Sequence, residues 1–387
     1  MLARVEVNDS VQHASAVLHI DLAGIGRNYR LLAGKVGPNV TCAGVVKADA
    51  YGLGADRVAP ALYQAGCRTF FVAHLDEGLD LRRHLPRDVT IHVLNGLPLG
   101  GEGDCAAAGL VPVLNSLDQA QAWSQQARES GRKLAAVVQV DSGMSRLGMS
   151  EREVAEFVEA PLPGIDVTMV MSHLACADEA QHPANAYQRE TFAALAKHFP
   201  GIRKSLANSS GIFIGGGYHH DLVRPGAALY GINPLPGQVN PMLPVLRLTA
   251  QVVQVRDVEA GAHVGYGWTL QTAKPTRLAT LSIGYADGLQ RAFGTNGAVY
   301  FRGKRLPVAG RVSMDSLIVD CSELPEGALA RGSQVEIIGG HQTVDDLASA
   351  AGTIGYEMLT SLGRRYERIY AEEIDARWRG RAGKIAL

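Results

Sequence analysis

Between about residues 40 and 235 the chain repeats one pattern: a short apolar run, then a longer stretch whose apolar positions recur at helical spacing. The runs are TCAGVVK (41–47), RTFFVAH (68–74), VTIHVLN (89–95), GLVPVLN (109–115), LAAVVQVD (134–141), DVTMVMSH (166–173), IRKSLAN (202–208) and LVRPGAALYG (222–231). Their apolar residues are contiguous rather than alternating, as in parallel strands covered on both faces. The helical stretch after the fourth run opens with Ser116 and Gln119 in capping-box spacing. It places Leu117, Ala120, Trp123 and Ala127 on one face and stops at Gly131. Eight such units fit a (β/α)8 TIM-like barrel, and the count favours it over a doubly wound sheet.

After about residue 240 the pattern changes. PVLRLTAQVVQV alternates Leu246, Leu248, Ala250 and Val252, the period of a half-buried strand. RLATLSIGYADG, AVYFRGKRLPVAG, DSLIVDC and SQVEIIGG follow with glycine-rich turns between them, and a late helix over 343–351 stops at Gly352. The expected organisation is a barrel domain over 1–240 and a mostly β-stranded C-terminal domain over 241–387. The boundary falls in the Pro- and Gly-rich NPLPGQVNPMLP (233–244). The apolar stretch SAVLHIDL (15–22) precedes the first barrel unit and is able to pair with either domain.

Composition narrows the function classes. The chain has 387 residues, a length suited to two domains, with 47% hydrophobic and 19% charged residues. A formal net charge of -1 gives no basic field for nucleic acid or an anionic membrane surface. The five cysteines, Cys42, Cys67, Cys105, Cys176 and Cys321, are scattered and form no CxxC pair. They point to a reducing compartment and to neither a disulfide framework nor a zinc site. MLARVEVNDS lacks the apolar core of a signal peptide, and no apolar run approaches the ~18 residues of a membrane span. The expected location is the cytoplasm.

In a barrel, chemistry sits where strands end. The expected strand ends are Lys47, His74, Asn95, Asn115, Asp141, His173, Asn208 and Arg224. Lys47 closes an apolar run and leads into ADAYGLGA, small, polar and glycine residues. A neutral lysine amine at such a tip is able to form a Schiff base with an aldehyde cofactor, of which pyridoxal phosphate is the usual one. Its phosphate needs backbone N–H groups, and the late loops ANSSG (207–211) and RPGAALYG (224–231) supply candidates. No G-x-x-x-x-G-K-[ST] motif occurs, and GIFIGGGY (211–218) lacks dinucleotide-fingerprint spacing. His219 and His220 are adjacent, more often a polar loop than a metal site, and no metal is assigned.

VVKADAYGLGA resembles the pyridoxal-phosphate lysine motif of alanine racemases, members of the fold-type III pyridoxal-phosphate enzymes. DSGMSRLG (141–148), SHLACAD (172–178), ANSSG, RPGAALYGINP (224–234), VGYGWT (264–269), SIGYADG (282–288), AGRVSMD (309–315) and GTIGYE (352–357) resemble motifs of the same family in the same order. The resemblance implies a barrel that holds pyridoxal phosphate, a C-terminal β domain and a head-to-tail homodimer acting on alanine. It implies Lys47 as the Schiff-base lysine, with Tyr51, Ser209, Gly226 and Tyr356 holding the phosphate. Arg146 would contact the cofactor's phenolic oxygen and the substrate carboxylate, and His173 would support Arg224 at the pyridine nitrogen. Tyr266 would be the second acid/base, supplied by the other subunit. Met314 would hold the substrate carboxylate through its backbone, and Tyr285 would line the entrance.

Racemisation removes the α-proton from one face and returns one to the other, which requires two bases on opposite sides. Free lysine and tyrosine have pKa values near ~10.4 and ~10, so both need lowering to act near neutral pH. Two positions depart from the family pattern. Gln139 stands where the family often has a carbamylated lysine paired to the arginine at 146; an amide cannot be carbamylated. Gly355 stands where asparagine is common. Other readings are a serine or broad-specificity racemase, a pyridoxal-phosphate carrier, and a decarboxylase on the same kind of barrel. The carrier would have no use for Tyr266, and the decarboxylase would lack VGYGWT. For a racemase, the physiological role is supply of D-alanine for peptidoglycan or its breakdown.

Overall fold

The computed structural model describes residues 14–371. The N-terminal stretch read above for a signal peptide lies outside them, as do both outer ends of the expected domains. Within them no helix is long and apolar enough to cross a membrane. The chain forms two compact units, one of residues Ile25–Met242 and one joining the residues up to Gly24 to those from Leu243 onward. The change at Met242 falls inside the Pro- and Gly-rich stretch.

The first strand, β1 (Ala16–Asp21), belongs to the second unit, as set out below. The first unit begins with β2 (Thr41–Cys42) and β3 (Gly44–Val45), and continues with β4 (Thr69–Val72), β5 (Thr90–Val93), β6 (Val111–Leu114), β7 (Leu134–Gln139), β8 (Ile165–Met171), β9 (Arg203–Asn208) and β10 (Leu222–Arg224). All are parallel, in the order β2-β10-β9-β8-β7-β6-β5-β4-β3. The two ends of that list are pieces of one chain segment. Ala43 and Val45 donate to Val223 and Pro225 at 3.0 Å each, while Val46 donates to Phe71 at 2.9 Å. The segment is therefore one strand bonded to a different neighbour on each side, and it closes the sheet on itself. Nine hydrogen-bonded pieces make eight barrel strands.

The closure follows from the sequence pattern. Phe70, Phe71, Ile91, Val113, Val137, Val138, Val170 and Leu206 are fully buried, as contiguous apolar runs require. The helix Leu117–Ser130 is capped by the Ser116 hydroxyl, which accepts from Gln119 N at 3.3 Å, and it ends at Gly131 in left-handed conformation. It buries Ala120, Trp123, Ser124 and Ala127, while Leu117 is half-buried. The Gln119 side chain reaches back one residue further than a capping box, to Asn115 N at 2.8 Å. The eighth strand is shorter than LVRPGAALYG suggests. Pro225 offers no N–H, and Ala227–Tyr230 turns as a 3-10 helix.

The second unit contains β11 (Leu246–Val258), β12 (His263–Val264), β13 (Leu270–Gln271), β14 (Thr276–Leu281), β15 (Ala298–Phe301), β16 (Lys304–Pro307), β17 (Leu317–Asp320), β18 (Gln334–Ile338) and β19 (Glu367–Ala371). Its main sheet runs β16-β15-β18-β11-β1-β19, with β14 and β17 continuing from the far half of β11. β1 lies antiparallel to β11, with Leu18 opposite Leu248, and parallel to β19. The segment 15–22 is thus an interior strand of this sheet. Arg302 and Gly303, both at positive φ, form the two-residue turn between β15 and β16. β12 and β13 form a separate hairpin with Tyr266–Trp268 at its tip.

Candidate active site

Lys47 stands two residues beyond the end of β3, half-buried, where the backbone turns the wrong way for L-residues. Ala48, Asp49, Ala50 and Tyr51 all have φ between 52° and 57°, a left-handed helical turn of four non-glycine residues. Each such residue costs about 1–2 kcal/mol, so the surroundings must impose the turn. Ala50 N donates to Val46 O at 2.9 Å, Gly54 N to Asp49 O at 3.0 Å, and Ala55 N to the Asp49 carboxylate at 2.7 Å. Ala48 N donates to Glu77 Oε1 at 2.6 Å. The turn was legible only as a loop, because its residues have no sequence signature for this conformation apart from Gly52 and Gly54. Burial of the Lys47 amine and the nearby Arg146 guanidinium lower its pKa from the ordinary lysine value, and Glu77 opposes them.

Arg146 is carried by a loop folded back on the end of β7. The Asp141 carboxylate accepts from Gly143, Met144 and Ser145 N at 2.9–3.1 Å. Met149 N donates to Gln139 O at 2.8 Å. Gly148 has φ +112°, and a β-carbon there would strike the backbone of Val140 and Asp141. Gln139 is buried, and its amide nitrogen donates to Leu147 O at 3.1 Å; no hydrogen bond joins it to Arg146.

Arg224, at the end of β10, is buried. Its guanidinium donates to Ser205 Oγ and to the carbonyls of Ser172 and Leu206, with no carboxylate in ion-pair reach among the described residues. Burial draws its pKa down to about 9, which leaves it charged at neutral pH. His173 does not hydrogen-bond to Arg224; the link runs through the carbonyl of the preceding residue. Burial, then Arg224, Arg146 and Lys47, push the His173 imidazole down to about 3, so it is neutral. Gln188 holds the His173 backbone, donating to its carbonyl at 2.9 Å and accepting from Ala175 N at 2.8 Å. His92 on β5 is buried and stacked on Phe71 at 4.6 Å, and its pKa is likewise pushed down to about 3.

Tyr51, Ser209 and Gly226 form a cradle. Ser209 Oγ accepts from Gly226 N at 3.0 Å and Ala228 N at 3.2 Å, which leaves its O–H to donate elsewhere. A β-carbon on Gly226 would overlap the Tyr51 hydroxyl, and the Tyr51 ring rests on Tyr230 at 4.8 Å. Two hydroxyls and the Pro225–Gly226 backbone therefore meet with no room for another side chain. This donor set fits a phosphate monoester, and the lysine amine of the same unit, its pKa lowered by burial and Arg146, fits an aldehyde carrying it.

The remaining candidates are in the second unit. Tyr266 is 69% exposed at the hairpin tip, beside Trp268, which stacks on His263 at 4.2 Å. Tyr285 and Met314 are on neighbouring loops joined by Tyr285 N to Ser313 O and Ala286 N to Met314 O, both 3.0 Å. Asp287, buried, ties these loops down: it accepts from Gly284 N at 2.9 Å and twice from Arg365, whose third bond goes to Asp315. Tyr356 is near the start of the helix Gly355–Thr360, with Gly355 as its first residue.

Other strand-end residues turn out to build loops. Asn115 donates to the carbonyls of Leu94 and Val113, Asp141 gathers three amides, and Asn208 accepts from Gly211 N. His219 hydrogen-bonds Ile212 O, and His220 packs edge-on to Phe192. Among the described residues no three His, Cys, Asp or Glu gather as metal ligands. Glu77, Gln188, Asp287 and Arg365 were not singled out from sequence. Glu77 shows there only as an acidic residue three positions after His74, the spacing of a helix start.

The chain matches the family models described as alanine racemase, N-terminal domain, over residues 20–234, and alanine racemase, C-terminal domain, over residues 245–370. A relative from Mesorhizobium japonicum named "Alanine racemase, catabolic" is 55% identical over 92% of this chain and 93% of its own. One from Brucella canis named "Alanine racemase" is 50% identical over 92% and 94%. Among solved structures, alanine racemase from Bartonella henselae with covalently bound pyridoxal phosphate is 44% identical. It covers 92% of this chain and 100% of that one, with a TM-score of 0.89.

Proposed function

Since the chain belongs to the alanine racemase family, whose members are pyridoxal-phosphate-dependent isomerases, we propose that it interconverts L- and D-alanine by a two-base reaction shared between the subunits of a homodimer. The observation that carries the reading is the pairing, within one unit, of a lysine amine of lowered pKa with the Tyr51–Ser209–Gly226 cradle.

Lys47 would hold the cofactor through its amine, and Tyr51, Ser209 and Gly226, with Tyr356, would hold the phosphate. When bound, the cofactor draws electrons from the substrate's α-carbon and so makes its proton removable. Lys47 Nζ exchanges that proton on one face and the partner subunit's Tyr266 on the other. A lysine whose neutral form is favoured by burial and by Arg146 is suited to accept a proton near neutral pH. Arg146 and the Met314 backbone orient the substrate carboxylate, and Tyr285 lines the approach.

Arg224 would face the pyridine nitrogen and, keeping its proton at neutral pH, would limit the build-up of charge on the ring and disfavour side reactions. His173, neutral and held by Gln188, adds no charge beside Arg224. The relative at 55% identity is named as catabolic, which favours a role in D-alanine breakdown.

Polarimetry with each enantiomer of alanine tests the reaction: rotation should decay to zero from both sides. Borohydride reduction followed by peptide mapping should place the pyridoxyl group on Lys47. A label on any other lysine refutes the site.

A further inference from the structure

The left-handed turn after Lys47 is held partly from within, by bonds among residues 46–55, and partly by a bond from Ala48 that leaves the segment. That bond runs from Ala48 N to Glu77 Oε1 at 2.6 Å. The other carboxylate oxygen of Glu77 accepts from Ala73 N at 2.7 Å and His74 N at 3.2 Å. One carboxylate therefore fastens the first residue after Lys47 to the end of β4. Ala48 and Asp49 are exposed, so packing does not fix this corner of the turn. The strained conformation needs an external hold here, and the carboxylate is in place to provide it.

We propose that Glu77 is a positioning residue for Lys47: by tying the left-handed turn to the end of β4, it sets the direction in which the lysine side chain leaves its strand. The inference rests on the reading of Lys47 as the lysine that holds the cofactor and exchanges the proton. The chemistry of the side chain is specific. All three partners are N–H donors, one on one oxygen and two on the other. Glutamine, with one acceptor oxygen, would turn an NH2 group against a donor and serve one side only. Aspartate would keep the charge and lose the reach. The charge has a second effect. Lys47 faces Glu77 from the helix Leu75–Leu81, Arg146 from the loop after β7, and His173, neutral, from the end of β8. Of the charged groups, the carboxylate favours the protonated amine and Arg146 disfavours it.

The test uses holoenzyme carrying Glu77→Gln, with Asp76→Asn, the exposed neighbour on the same helix turn, as the control. The readouts are kcat and KM against pH, cofactor absorbance retained after dialysis, and thermal midpoint. Loss of the strap should lower kcat by about tenfold to a hundredfold, the scale of a misplaced reacting group. KM should stay within about twofold, because the substrate-binding groups are untouched. Loss of the charge should move the acid limb of kcat to lower pH, since the ammonium loses an anion that favours it. Cofactor retention should fall, and Asp76→Asn should match wild type.

A Glu77→Gln enzyme with wild-type kcat and an unmoved acid limb, destabilised only in thermal midpoint, would show a plain helix cap and overturn the proposal. So would equal effects from Asp76→Asn. If Glu77→Gln fails to fold, Glu77→Asp decides: reduced kcat with the acid limb in place supports the strap, and full kcat overturns it. A wild-type pyridoxyl label away from Lys47 would instead sink the reading beneath the proposal, and the two failures are distinct.

Discussion

The hydroxyl of Tyr51 occupies the space that a β-carbon on Gly226 would need. Its ring rests on Tyr230, whose own hydroxyl donates to Val45 O at 2.9 Å, so the hydroxyl clears that space only if the ring shifts against Tyr230. Gly226→Ala should therefore displace the hydroxyl and open the phosphate cradle while the barrel stays folded. Cofactor affinity should fall by about tenfold or more, equivalent to ~1.4 kcal/mol. Equilibrium dialysis followed by absorbance measures it. Unchanged affinity would remove the cradle from the phosphate site.

His92 should make the protein acid-sensitive. Its folded pKa, about 3, lies far below the ordinary 6.5, so protonation is favoured in the unfolded chain. The stability that neutral His92 contributes is complete above about pH 6.5 and is lost as pH falls toward 3. His92→Phe keeps an aromatic ring on Phe71 and removes this titration. At pH 7.5 the variant should be within about 1.5 kcal/mol of wild type, and it should gain relative stability at pH 5. Urea midpoints at the two pH values test the sign; a variant that loses ground at pH 5 contradicts it.

Activity should not depend on dissolved carbon dioxide. Gln139 is buried and committed through its nitrogen to Leu147 O, and it cannot carry a carbamate. Degassing the buffer should leave kcat unchanged, whereas Gln139→Lys should create a bicarbonate-dependent enzyme. A native enzyme that needs bicarbonate would show that another group performs this task.

Complementation tests the shared site. Lys47→Ala and Tyr266→Phe enzymes should each be nearly inactive. After subunit exchange, about half the dimers are mixed, and each holds one site with neither lesion. Activity should rise to about a quarter of wild type if the two sites act independently. With both residues supplied by one chain, every site would keep a lesion and mixing would restore nothing.

Much of this architecture is written in local pattern. The contiguous apolar runs mark the barrel strands because each is covered on both faces. The alternation of Leu246, Leu248 and Ala250 marks β11 because one face of its first half is more open. Lys47 and Arg224 stood out as candidates because each closes an apolar run of the barrel. What was not legible depends on distant partners. The left-handed turn at Ala48–Tyr51 is imposed partly by Glu77, 29 residues away, and Asp287 meets Arg365 across 78 residues. Asp141 and Asn208 looked like chemistry for the opposite reason: their work is local, and a loop-building amide or carboxylate has the same spelling as a catalytic one.

β1 has a consequence for synthesis. It is translated before the barrel, yet its neighbours β11 and β19 are translated after the barrel. From Asp21 to Leu246 is about 225 residues, and at ~5–20 residues per second the ribosome needs about 11–45 s to deliver the first partner. Through that interval the barrel is being completed while a strand with four apolar residues in six, AVLHID, waits without a sheet. An unpaired strand of this kind is an aggregation hazard. The nascent chain therefore has reason to need a chaperone at this strand, and a fragment ending near residue 242 would carry it permanently unpaired.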